Sequence, residues 1–172
     1  MQEIFNGNFY NPSKGNLTLD NVVEELFSYM AENPDKFYDV IVGCDSSSEE
    51  EPHFPVAVVI LRKGEGGRFF LKKIKYPTSA KKKFPNWKGR VQAEVWLSIQ
   101  LALILKEKVA KKMVSPPQPF NYQLRYIHAD VGEKGQTKDM IKEVVGLIRG
   151  NGFEPKIKPE SYVASVVADR YT

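Results

Sequence analysis

The sequence predicts an α/β domain: a mixed five-stranded sheet of order 3-2-1-4-5, with strands 1 to 3 antiparallel, strands 4 and 5 parallel to strand 1, and helices on both faces. Three observations predict it. Apolar, β-branched runs follow one another at 39–47, 54–62 and 68–76, and Lys63-Gly64-Glu65-Gly66-Gly67 joins the last two as a hairpin. Strands then alternate with helical patterns: a helix over 91–112, a strand over 123–131, a helix from 137, a strand over 153–159 and a last helix from 160 or 161. A right-handed crossover through the long helix sets the fourth strand beside and parallel to the first.

The bulk composition limits the classes open to the chain. Its 172 residues, 42% hydrophobic and 27% charged, suit one soluble globular domain with a proper core. A net charge of +4 leans toward anionic partners. The single cysteine, Cys44, rules out an intramolecular disulfide framework and packs as a small hydrophobe. No apolar run reaches membrane-spanning length and no basic-then-apolar leader opens the chain, so no membrane is expected and a cytoplasmic location is.

Residues 1–17, with Gly7, Pro12 and Gly15 among polar and aromatic residues, read as an irregular arm. Residues 18–172 read as a single domain that includes an added helix over 18–33. Thr18 is its N-cap, Asp20 favours its first turn, and Leu19, Val22, Val23, Leu26, Phe27 and Met30 recur at helical spacing until Asn33-Pro34 stops it. The first strand follows and ends in Asp45, with Ser46 and Ser47 behind it. Two readings stand there: an Asp opening an Asx-turn, or a carboxylate delivered to the sheet edge where α/β sheets bind ligands. Gly43, on the same face, leaves room beside Asp45. Glu49-Glu50-Glu51 reads as a solvated loop.

Between Lys72 and Arg90 stand Lys72, Lys73, Lys75, Lys81, Lys82, Lys83, Lys88 and Arg90 without an acid, interleaved with Tyr76, Phe84 and Trp87. Lysines neutralise phosphates and rings stack on bases, so a nucleic-acid strand suits this segment; a solvated basic loop with its aromatics tucked inward is the plainer reading. In the long helix Val91, Val95, Ser98, Ala102, Leu105 and Val109 form a stripe, with Glu94 beside it. A carboxylate so placed requires compensation, by a metal ion or by a Lys or Arg partner. The fourth strand ends in Asp130 before Gly132, and His128 shares its face, as a ligand, a proton carrier or a hydrogen-bonded structural histidine. Asp169 lies on one face of the last helix with Tyr162, Ser165 and Val166.

Adjacent parallel strands lie about 4.8 Å apart, so Asp45 and Asp130 are expected side by side, with Glu94 and Asp169 brought in by the helices. Four converging carboxylates repel unless cations hold them, and oxygen ligands without cysteine or paired histidine select Mg²⁺ or Mn²⁺. Two such ions about 4 Å apart clamp the attacking and leaving oxygens of a phosphoryl displacement.

This layout resembles the ribonuclease H-like superfamily. Gly43-Cys44-Asp45-Ser46, the run from His128 to Thr137, Ile157-Lys158-Pro159-Glu160-Ser161-Tyr162 and Ala168-Asp169-Arg170 resemble the bacterial YkuK-like family of that superfamily, over nearly the whole chain from about Phe9. The resemblance implies a nuclease with two divalent ions, Asp45 bridging them, Glu94 and Asp130 completing the first and Asp169 holding the second. It further implies a histidine between the fifth strand and the last helix; this chain has none after His128, leaving Lys158, Glu160 or another group to serve there. Ser46 and Lys158 are accessory candidates with His128, and Lys81, Lys82, Lys83, Trp87, Lys88 and Arg90 are the expected nucleic-acid contacts.

Three functions are therefore open: a two-metal nuclease on RNA, DNA or their hybrid; a resolvase-like, structure-specific DNA nuclease; and a non-catalytic nucleic-acid-binding module that keeps the fold.

Overall fold

The computed structural model describes residues 2–49, 52–75, 86–114 and 120–172. Within them the chain builds one mixed sheet from β1 (Phe9–Asn11), β2 (Gly15–Leu17), β3 (Phe37–Cys44), β4 (His53–Arg62), β5 (Gly66–Lys75), β6 (Asn121–Gln123), β7 (Tyr126–Ala129) and β8 (Glu154–Lys156). Their order is β2-β1-β5-β4-β3-β7-β8, with β6 also on β3. The inner five, β5-β4-β3-β7-β8, reproduce the expected order, with β3, β4 and β5 antiparallel and β7 and β8 parallel to β3.

The two faces of β3 separate by alternation. Tyr38, Val40, Val42 and Cys44 join Phe54, Val56, Val58 and Ile60 of β4 in the larger core. Helices α1 (Leu19–Glu32), α2 (Trp87–Met113) and α3 (Ile141–Gly150) cover that face. Ile41 joins Ala57, Val59 and Leu71 in a smaller cluster with Val163 and Ala168 of the C-terminal segment. Thr18 caps α1 by accepting the Asn21 N–H at 3.2 Å, and Asn86 caps α2 by accepting the Gly89 N–H at 3.0 Å.

Three elements differ from the sequence reading. The arm is not irregular throughout: β1 and β2 pair as a hairpin, and Tyr10 extends the sheet by lying opposite Leu71 of β5. The Asn11 carboxamide oxygen makes its turn, accepting the N–H groups of Ser13 and Lys14 at 2.9 Å each. The expected fourth strand is two strands. Phe37 lies opposite Asn121, but Val42 lies opposite Ile127, so one extra residue enters between them as a bulge.

That bulge decides where the acids point. Tyr122 and Leu124 pack against the larger core before it, and Ile127, Ala129 and Val131 do so after it. An even-numbered face becomes odd-numbered, and His128 and Asp130 turn to the opposite side, the one that Gly43 faces.

The last helix is also shorter and wider than expected: a π-helical stretch, Val163–Ala168, runs into a 3-10 turn, Asp169–Tyr171. It lies directly on Gly43, where a Cβ would stand 2.8 Å from the Ala164 nitrogen and 3.0 Å from Val163 Cγ1. The space that Gly43 leaves is thus filled by backbone.

Candidate active site

The parallel register sets the site. Gly43 lies opposite His128 and Cys44 opposite Ala129, so Asp45 and Asp130 follow at one level just past the paired strands. The Asp45 N–H donates to the Pro55 carbonyl at 3.2 Å, which keeps the residue on the β4 ladder one step beyond β3. Its side chain is buried. The Asp169 carboxyl, arriving from the C-terminal segment, hydrogen-bonds it. Burial first, then that hydrogen bond and the charges of Asp130 and Asp169, push Asp45 up to about 7, against the pull of the Ser46 N–H.

Asp130 is held from two sides. The Ser165 hydroxyl donates to its Oδ1 at 2.9 Å, and the Lys158 ammonium stands 3.1 Å from the same oxygen. Ser161 braces Ser165 through a hydroxyl contact of 2.8 Å. Glu94 reaches the cleft from the opposite face. It is buried on α2, and the Ser46 hydroxyl donates to its Oε1. Burial raises it well above the usual carboxylate range, with the charges of Asp45 and Asp130 adding, while the Ser46 hydrogen bond and Arg90, one turn earlier, oppose the rise.

Asp45, Glu94 and Asp130 line one cleft of about 270 Å³. Arg90, Lys134 and Lys158 line it too, and so does Trp87. Acids thus occupy the floor where the strands end, and cations come from the α2 start, the loop after Asp130 and the turn after β8. Thr137 fixes that loop by accepting the Gly132 N–H at 3.1 Å, and Gly135 supplies a left-handed turn at φ +89°.

His128 does not face the cleft as a free base. Its Nδ1 accepts the Val163 N–H at 3.2 Å, and its ring meets Tyr162 edge-on at 4.9 Å. Burial, then the charge of Lys156, lower it to about 4, so it stays neutral and anchors the C-terminal segment. Trp87, Lys88 and Arg90 stand at the first turn of α2, with the Lys88 ammonium 5.7 Å from the Trp87 ring centre. Lys81, Lys82 and Lys83 lie outside the described residues.

The donor set is chemically suited to a hard divalent cation, since every acid offers oxygen and the neighbouring carboxylates raise Asp45 and Glu94. The geometry is less complete than the sequence reading expected. Among the described residues no group of three acidic, histidine or cysteine side chains is placed to hold one ion. Asp45, Asp130 and Asp169 belong with the C-terminal segment, whereas Glu94 comes from the helical face and is engaged by Ser46. Sequence reasoning also missed Ser161, Ser165, Lys134 and Thr137. Only the spacing of the two serines, one helical turn apart and ahead of Asp169, hinted at the first pair.

Comparison with known proteins agrees with the architecture. The family model described as Ribonuclease H-like matches residues 21–172. "Uncharacterized protein YkuK" of Bacillus subtilis (strain 168) is 30% identical over 169 residues, covering 95% of this chain and 96% of that protein. No solved structure matches the chain. Sheet order, the acids at the strand ends and this likeness lead to one conclusion: the chain belongs to the ribonuclease H-like family, with YkuK as a relative.

Proposed function

We propose that the chain is a divalent-metal-dependent nuclease that hydrolyses phosphodiester bonds of RNA, DNA or their hybrid. The observation that carries this reading is the division of one cleft into an acidic floor, Asp45, Glu94 and Asp130, and a rim of Arg90, Lys134 and Lys158 beside Trp87. Membership of the ribonuclease H-like family supports it.

A bound Mg²⁺ or Mn²⁺ would supply Lewis-acid stabilisation of the phosphoryl oxygens and a lowered pKa for the attacking water. Asp45 and Asp130 would hold it, with Asp169 and Glu94 completing the set. The remaining work belongs to the chain. Arg90 and Lys134 take the charge of the phosphate oxygens, the Arg90 fork in a fixed orientation. Trp87 offers a face on which an unpaired base stacks, worth about 1–3 kcal/mol. Ser46 and Ser165 orient Glu94 and Asp130, so the carboxylates need little reorganisation during reaction.

The non-catalytic binding module keeps one observation in its favour. Each acid already has a partner within the chain: Asp45 hydrogen-bonds Asp169, Glu94 accepts from Ser46 and Asp130 pairs with Lys158. Cleavage of labelled single strands, a hybrid duplex and a four-way junction in Mg²⁺ and in Mn²⁺ separates the readings. The wild type is expected to cut at least one of them, and Asp45→Asn to lose about 10²–10³-fold of the rate while binding is retained. Undiminished cleavage by that variant refutes the nuclease. Salt-sensitive binding with no cleavage in either metal establishes the module instead.

A further inference from the structure

We infer that Lys158 is the resident cation of the site: its ammonium occupies, at Asp130, the charge position of one of the two expected divalent ions, so the chain takes one such ion rather than two. This rests on the nuclease reading above and sets its metal stoichiometry.

Lys158 is built into place along its whole length. Its backbone N–H donates to the Val131 carbonyl at 2.8 Å, tying the residue to the end of the Asp130 strand. Its stem crosses Gly132, where a Cβ would stand 3.0 Å from Lys158 Cβ and 3.3 Å from Cδ. A methyl group at 132 would press on the stem and push it aside by a few tenths of an ångström. The ammonium then reaches Asp130 Oδ1 at 3.1 Å. That oxygen also accepts the Ser165 hydroxyl at 2.9 Å, so its two lone pairs are both engaged. A metal ion approaching Asp130 is left with the other oxygen alone.

Charge leads to the same answer. Arg90 stands beside Glu94 and Lys158 on Asp130, both lining the cleft. With Asp130 balanced by Lys158, one carboxylate fewer is left for divalent ions to neutralise. The Lys158 side chain remains 46% exposed, so its ammonium stays within reach of a substrate phosphate. It acts as a positioning residue toward Asp130.

Calorimetric titration with Mn²⁺, with and without a short single-stranded oligonucleotide, tests this on the full chain as wild type, Lys158→Gln and Lys158→Arg. One ion is expected for the wild type and for Lys158→Arg, which keeps the charge, and two for Lys158→Gln. Two ions in the wild type overturn the inference and leave the nuclease reading standing. One ion in a folded Lys158→Gln overturns it as well. No ion in any protein under either condition overturns both. Circular dichroism checks folding, and should the Gln variant fail to fold, the wild-type stoichiometry decides.

Discussion

Replacing Asp45 by asparagine is expected to stabilise the protein at alkaline pH. In the fold this carboxyl is raised from its ordinary 3.8 to about 7. The folded chain therefore keeps a proton that the unfolded chain has lost, and stability falls as pH rises from about 4 to about 7, then stays at the lower level. At about 1.4 kcal/mol for each pH step, the ceiling is about 4 kcal/mol. The cleft admits water, so we take about 2 kcal/mol. Asparagine has the shape of the protonated acid and offers an N–H to Asp169, so it escapes this cost. In chelator-treated buffer at pH 8, Asp45→Asn should melt about 4–8 °C higher than the wild type, the scale for a domain of this size. Near pH 4 the two melting curves should coincide. Addition of Mn²⁺ should raise the wild type and leave the variant unmoved. Equal stability at pH 8, or a difference that persists unchanged to pH 4, refutes the reasoning.

Gly43→Ala should lose about 1–3 kcal/mol in urea unfolding, because the new methyl meets the backbone nitrogen of Ala164 at 2.8 Å, which no side-chain rotation relieves. Wild-type stability in that variant would mean that the C-terminal segment does not rest on β3. His128, lowered to about 4 where the unfolded chain has about 6.5, contributes stability that is present above pH 6.5 and is lost as pH falls toward 4. Its ring signals in a proton NMR titration should stay constant between pH 5.5 and 8; a midpoint near 6.5 would show a ring open to solvent instead.

Much of this architecture was legible because it rests on periodicity. The β-branched runs, the glycine turn at 63–67 and the helical stripes each report a local pattern, and together they give the inner strand order. What stayed hidden depends on single residues acting at long range. The bulge between β6 and β7 has no glycine or proline to mark it, since Leu124 and Arg125, which stand at the break, are residue types that a strand also takes. It nevertheless turns Asp130 toward Asp45 and Asp169. The hairpin of the arm was missed because its strands are three residues each, too short for alternation to register. Asp45 and Asp130 could be paired from the strand ends alone, but the hydrogen bond of Ser46 to Glu94 is a contact across 48 positions that no local pattern reports.

The two readings that the sequence left open at Asp45 differ in what they ask of its charge. An Asx-turn needs only a side-chain oxygen near the following amides, and asparagine supplies one as well as aspartate does. The structure surrounds this position instead with Asp130, Asp169 and burial, all of which oppose ionisation. A turn explains the oxygen but leaves the charge as a cost of about 2 kcal/mol with no structural return. A cation site explains both, because the ion gains from the same negative potential that destabilises the fold without it. Lys158 offsets the part of that potential around Asp130, while at Asp45 and Glu94 it still opposes ionisation. The charge of Asp45, which burial and two neighbouring carboxylates oppose, is therefore one on which the proposed chemistry depends.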